Sequence, residues 1–205
     1  MKITSIECNI FKLKLGEPYT IAYERIEESP NVFIKINTNG PHCGWGCAAP
    51  DMEVTGESAE SVMLAFNDVI EPYLRGQDPF MHALLEELKI KLKAQPSALA
   101  MVDIALYDLI GKKAAEPVYR LLGGYKVRIP TSVTVGILPL EETLKKAQEW
   151  RDRGFFILKI KGGINVAEDI EKIIKLREMV GKKIEIRFDA NQGYTLLRNV
   201  GILVA

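Results

Sequence analysis

Apolar and polar residues follow one rhythm up to about residue 125 of this chain and another after it. In the first part, runs with strand character at 3–13, 32–37 and Cys43–Ala48 predict a small antiparallel sheet, and Thr38-Asn39-Gly40-Pro41 supplies the turn between the last two. The connection from 16 to 30 is too long for a tight hairpin. With Tyr19 and Tyr23 set among Glu24, Arg25, Glu27 and Glu28, it reads as an ordered loop of the kind that forms flaps. Helices come next. Val62, Phe66, Val69, Ile70 and Tyr73 fall on one helical face, with Pro72 near its end. A second helix is predicted over 81–93 and a third over 98–113, opened by Pro96-Ser97. The third is apolar nearly all round, which predicts burial on most sides. Asp103 and Asp108 inside it are therefore expected to be hydrogen-bonded, structural carboxylates. A short run over 117–122 stops at Gly123-Gly124, a helix C-cap and a boundary.

Beyond the boundary the pattern alternates. Strands at 131–135, 156–161 and 184–190 enclose helices at 140–153 and 167–180. This β-α-β-α-β order predicts parallel strands joined by right-handed crossovers.

Composition narrows the function classes. The 205 residues carry 27 Lys plus Arg against 27 Asp plus Glu, with no basic block, which argues against nucleic acid and for a small-molecule partner. No stretch approaches the roughly 18 apolar residues of a membrane span, so no membrane partner is expected. The start of the chain alternates polar and apolar residues (Lys2, Ile3, Ser5, Ile6, Glu7) without the apolar core of a signal peptide, making a cytoplasmic location the default. Cys8, Cys43 and Cys47 form no paired framework. His42, Cys43 and Cys47 lack the fourth ligand that a structural zinc site requires, so reduced thiols are expected.

The chemistry gathers at two strand ends. In Phe156-Ile157-Leu158-Lys159-Ile160-Lys161 the lysines share one face, and Phe156, Leu158 and Ile160 share the other, where they can pack under helices. Like charges held close lower one another's proton affinity, and a lysine tuned in this way can serve as a general base. An edge strand with a wet, lysine-bearing face fits the same hexapeptide equally well. Asp189 and Asn191 obey the same spacing at the end of the next strand. Such an oxygen-rich pair suits a hard cation such as Mg²⁺, although an Asx turn closing the strand accounts for it too. Consecutive parallel strands would place Lys161 beside Asp189, and a lysine beside a divalent cation suits proton removal next to a carboxylate, where the enediolate's charge must be stabilised.

These strings, with Gly44-Trp45-Gly46, Val54-Thr55-Gly56-Glu57, the run from Met101 to Leu109, Pro117-Val118-Tyr119-Arg120-Leu121-Leu122-Gly123-Gly124 and Asp189-Ala190-Asn191-Gln192, resemble the muconate-cycloisomerase-like branch of the enolase superfamily over nearly the whole chain. Residues 131–136 and the 17–23 segment look most like dipeptide epimerases. The resemblance implies an α+β N-terminal capping domain over 1–124, with a three-stranded antiparallel sheet plus helices. It further implies the first three strands of a (β/α) TIM-type barrel over 125–205. It implies a Mg²⁺-dependent isomerase that epimerises dipeptides through an enediolate. Lys161 would be the base for one epimer, and Lys159 would touch the substrate carboxylate and hold down the proton affinity of Lys161. Asp189 would be the first metal ligand, Thr134 and Asn191 would contact substrate, and the 16–30 loop would be a flap in which Glu24 and Arg25 set the accepted charge. Cys47 stands where an acidic residue often follows in the family, with no catalytic consequence expected.

A complete barrel takes roughly 250 residues, and the family's other metal ligands and opposing lysine belong to later strands. The tail from Thr195 to Ala205 carries no carboxylate where an acidic amphipathic helix would follow. The sequence reading is therefore a frameshift or premature stop, with the chain inactive or impaired. The alternatives are a cycloisomerase or o-succinylbenzoate synthase of the same branch, or a non-catalytic remnant. Open sheet edges would favour association, including a homo-oligomer.

Overall fold

Period-two burial organises the first sheet. Val32, Ile34 and Ile36 of β2 (Arg25–Thr38) are completely buried, while Phe33 and Lys35 between them are not. The strand lies between β1 (Ile3–Thr20) and β3 (Cys43–Ala48). It pairs with β3 antiparallel, in a register that sets Ile34 opposite Gly46 and Ile36 opposite Gly44. The computed structural model describes residues 1–20, 25–80 and 83–194, without the side chains of 17, 19, 20 and 25. Among the described residues no helix is long and apolar enough to cross a membrane. The chain divides into two units, residues 1–14 with 28–127 and residues 15–27 with 128–205.

The 16–30 connection is mostly strand, not loop, because β1 runs to Thr20 and β2 resumes at Arg25. No described side chain from 7 to 30 is buried, so this arm of the sheet shows no alternation from which its extent beyond residue 13 could be read. Glu24, Tyr23 and the side chain of Arg25 lie outside the described residues, as do the predicted helix start at 81 and the 195–205 tail.

Helices cover the buried face. A continuous helical stretch contains α1 (Ala59–Ala65), a wider turn over Phe66–Ile70 and α2 (Glu71–Leu74). It buries Val62, Phe66, Ile70 and Leu74. Ser58 and Ser61 cap it reciprocally, each side chain taking the other's backbone N–H. α3 (Ala83–Lys91) adds Leu84 and Leu88 to the core.

α4 (Pro96–Ala114) is less enclosed than its composition predicts. Met101, Val102, Ala105, Leu106 and Leu109 are buried, whereas Ile104 is exposed and Asp103, Tyr107 and Asp108 are half-buried. Asp108 is structural, as expected, but on a wet face. It accepts the Trp45 N–H at 2.8 Å and Lys112 Nζ at 2.7 Å, and Lys112 also donates to the Cys43 carbonyl at 2.8 Å, fastening β3 to α4.

Glu57 is 1% exposed and caps α4 from a distance. Its carboxylate accepts the Ser97 N–H at 2.8 Å and the Ala98 N–H at 3.2 Å, two donors that the helix itself leaves unpaired. Glu57→Ala is expected to destabilise the first unit by about 1–3 kcal/mol through those orphaned donors. Urea unfolding checks this, and Glu57→Gln should lose less. α5 (Val118–Leu121) closes the unit and ends where Gly123 (φ 104°) and Gly124 (φ 57°) enter the left-handed region.

In the second unit, β4 (Val133–Val135), β5 (Ile157–Lys161) and β6 (Glu185–Asp189) lie in that order, both pairs parallel. The connecting helices are α6 (Leu140–Asp152) and α7 (Val166–Val180). Leu158 and Ile160 pack with Val135, Ala147, Leu176 and Val180. Phe156 does not join them. It precedes β5 and is 68% exposed, so the apolar face of this strand is two residues long.

Candidate active site

Register decides which side chains meet at the strand ends. Thr134 aligns with Lys159 and Arg187, and Lys161 aligns with Asp189. Aligned residues of neighbouring parallel strands share a face, opposite the one carrying Leu158 and Ile160. That face therefore holds three cations, Lys159, Lys161 and Arg187, against two carboxylates, Glu185 and Asp189.

The cluster converges on one oxygen. Lys159 Nζ lies 2.7 Å and Lys161 Nζ 2.9 Å from Asp189 Oδ2. Lys161 also donates to Asn191 Oδ1 at 2.7 Å, and Asp189 Oδ1 accepts the Asn191 N–H at 3.0 Å. The Lys161 side chain is 11% exposed and that of Lys159 35%. The structure thus joins Lys159, Lys161, Asp189 and Asn191. Thr134, exposed, is the ladder partner of Lys159, but among the described residues no side-chain hydrogen bond ties it to the cluster. Arg187, on the same face, is occupied by Glu185 at 2.6 Å.

Burial pushes the Asp189 carboxyl up, but hydrogen bonds from Lys159, Lys161 and the Asn191 N–H, with the charge of Lys161, outweigh it and hold the group well below its usual 3.8. A folded-state value below the unfolded one means that this carboxylate stabilises the fold fully above pH 3.8, and loses that contribution as pH falls through the depressed range. The difference in urea midpoint between the wild-type chain and Asp189→Asn should therefore be constant from pH 7 to about 5 and shrink below pH 3.8.

A second set of residues, invisible in the lysine and aspartate spacing, braces the cluster. Gly162 donates its N–H to the Asp189 carbonyl at 3.1 Å. Gly163 has φ 111°, and a Cβ there would fall on the Ala190 carbonyl oxygen. A Cβ at Gly193 would in turn strike the Gly163 carbonyl. Asn191 and Gln192 both hold positive φ, 46° and 59°, in the turn after β6. Asp169, 4% exposed near the start of α7, accepts the Gly163 N–H at 2.9 Å and the Tyr194 hydroxyl, and Tyr194 stacks on Phe188. The Gly-Gly pair directly after the lysine strand was the available sequence signal; Asp169 gave none, since an acidic residue in a first helical turn is ordinary.

The donor set falls short of a Mg²⁺ site. The cation takes about six oxygens in near-octahedral order. Asp189 and Asn191 supply one carboxylate and one amide, both engaged by lysine, and among the described residues no group of three or more His, Cys, Asp or Glu is placed to hold a metal ion. The three ligands His42, Cys43 and Cys47 form no such group either.

Comparison with known proteins places this arrangement. Residues 5–123 match the mandelate racemase / muconate lactonizing enzyme N-terminal domain, and residues 142–203 the enolase C-terminal domain-like family. The L-Lys-D/L-Arg epimerase of Desulforapulum autotrophicum is 47% identical over 195 residues, covering 95% of this chain and 55% of that protein. The substrate-liganded L-Ala-D/L-Glu epimerase from Bacillus subtilis superposes with a TM-score of 0.93 at 33% identity, over 98% of this chain and 56% of that one. A dipeptide epimerase from Methylococcus capsulatus, complexed with Mg and the dipeptide L-Arg-D-Lys, gives 0.88 at 36% identity, over 99% of this chain and 58% of that one. The chain spans a little over half the length of the relatives it matches. Its two domain matches, and the fold they share with these solved structures, make it a member of the mandelate racemase / muconate lactonizing enzyme family of the enolase superfamily.

Proposed function

We propose that this chain carries the substrate-carboxylate and first-base half of a dipeptide epimerase acting on cationic dipeptides. The observation that carries the reading is the meeting of Lys159 and Lys161 on Asp189 at the ends of adjacent parallel strands, at 2.7 and 2.9 Å. In this reading the Lys161 amine takes the proton from the carbon next to the substrate carboxylate. The C–H electron pair passes into that carboxylate as an enediolate, and Lys159, with the net positive strand face, offsets the growing charge. Thr134 and Asn191 contact the bound dipeptide. Glu24 and Arg25 help select its charge. Inversion also requires a proton donor on the opposite face, which none of the assigned residues supplies.

Two relatives favour a cationic substrate. Lysine and arginine stand in the name of the 47% identical epimerase and in the dipeptide bound by the Methylococcus capsulatus enzyme. Mg accompanies the dipeptide in that complex, but no step here is assigned to the metal, since among the described residues both carboxylates of the lysine face, Asp189 and Glu185, are already paired with cations. That pairing also supports a second reading, a non-catalytic chain that binds a carboxylate ligand at its lysines.

Incubating the chain with L-Lys-L-Arg, L-Ala-L-Glu and an apolar dipeptide, with and without Mg²⁺, and following inversion of the second residue separates these readings. Turnover fastest on L-Lys-L-Arg supports the epimerase. Absence of turnover on every dipeptide, with calorimetric binding retained, supports the second.

A further inference from the structure

The lysine cluster depends on where the turn after β6 sits. Asp189 ends the strand, and Asn191, the other acceptor of Lys161, stands in a turn held by two successive non-glycine residues at positive φ. Something must hold that turn in place. Backbone contact with the turn after β5 is one part, since Gly163, Ala190 and Gly193 approach too closely for any side chain. Asp169 is the other. It bonds both turns through one atom: Oδ2 accepts the Gly163 N–H on the β5 side and the Tyr194 hydroxyl on the β6 side.

The rest of the surroundings fit this role. Asp169 is 4% exposed, and its neighbour Lys172, 6% exposed, places Nζ 3.9 Å from the other oxygen, so the buried charge is compensated from within α7. Gly162 leaves no room for a Cβ between Asp169 and Phe188, which keeps that carboxylate against the strand end. Phe188 precedes Asp189 and stacks on Tyr194 at 6.4 Å between ring centroids, so the tyrosine grips both the strand and the carboxylate beneath it. Burial, then the hydrogen bond and charge of Asp169, push the Tyr194 hydroxyl well above its usual range, and it remains a donor throughout the working pH range.

We propose that Asp169 and Tyr194 are positioning residues that clamp the turns after β5 and β6 together, and so hold Asn191 and Asp189 within reach of Lys161. The inference rests on the lysine cluster being the functional site, and its test requires no turnover. Tyr194→Phe keeps the stacking and deletes the hydroxyl. Asp169→Asn keeps an acceptor for Gly163, and Asp169→Ala removes it.

The chain is acetylated at one fixed pH with an amine-reactive ester, and each lysine is quantified by mass spectrometry, with exposed Lys145 as the internal reference. Far-UV circular dichroism confirms that each variant is folded. Tyr194→Phe should raise the labelling of Lys161 relative to Lys145 by about threefold or more, as expected when one hydrogen bond ceases to hold a site closed. Asp169→Ala should raise it further, with Asp169→Asn falling between Asp169→Ala and wild type. Should Asp169→Ala not fold, Tyr194→Phe decides alone. Unchanged Lys161 labelling in a folded Tyr194→Phe chain overturns the clamp. An inactive wild-type chain with the predicted labelling pattern would sink the epimerase reading and leave the clamp standing.

Discussion

Gly46→Ala is expected to cost the first unit about 3 kcal/mol of folding stability, at the upper end for an overpacked core. A Cβ at position 46 would land on the Met101 carbonyl oxygen, and one at Gly44 on that of Ala105. Both targets are backbone of α4, which cannot rotate aside as a side chain could. The alternating glycines of Gly44-Trp45-Gly46 are thus a packing device: β3 lies directly on the helix, and Trp45 between them faces outward at 49% exposure. Urea unfolding measures the loss. Gly16→Ala, with no atom of the described residues within 4 Å of its Cβ, is the control and should change stability by less than about 0.5 kcal/mol. An equal, small effect at both glycines would refute the close approach.

Lys161→Ala is expected to lower any epimerisation rate by about 10²–10⁴, the usual contribution of a positioned general base. The loss should appear in kcat, because the substrate carboxylate is assigned to Lys159. Lys159→Ala should act more strongly on KM. Both variants leave one lysine on Asp189, so neither strands that carboxylate without a partner. Rates on the preferred dipeptide give the test; equal, modest effects on KM from both substitutions would contradict separate roles.

The sequence made some of this legible and hid the rest for physical reasons. Parallel β4, β5 and β6 could be read because each crossover helix carries its own apolar stripe between turn residues. Their register then followed, and with it the meeting of Lys161 and Asp189. Where burial does not alternate, reading failed. No described side chain from 7 to 30 is buried, so the end of β1 beyond 13 and the start of β2 before 32 looked like loop. The composition of α4 suggested enclosure, yet Ile104 is 49% exposed and Asp108 is shared with Lys112 on the same outer side. Phe156 continues the apolar alternation of β5 in sequence, but it precedes the first ladder pair and finds no helix over it. The Asp169–Tyr194 brace joins residues 25 apart through a single carboxylate oxygen, and no periodicity encodes such a contact.

The central claim is that Lys161 is placed to remove a proton from a carbon next to a bound carboxylate. Solvent deuterium uptake at that carbon of L-Lys-L-Arg tests it most directly, since exchange needs one base and no inversion. Uptake by the wild-type chain that disappears in Lys161→Ala and persists, at raised substrate concentration, in Lys159→Ala is the predicted result. Uptake that is equal in wild type and Lys161→Ala, or absent from a wild-type chain shown to bind the dipeptide, would contradict it.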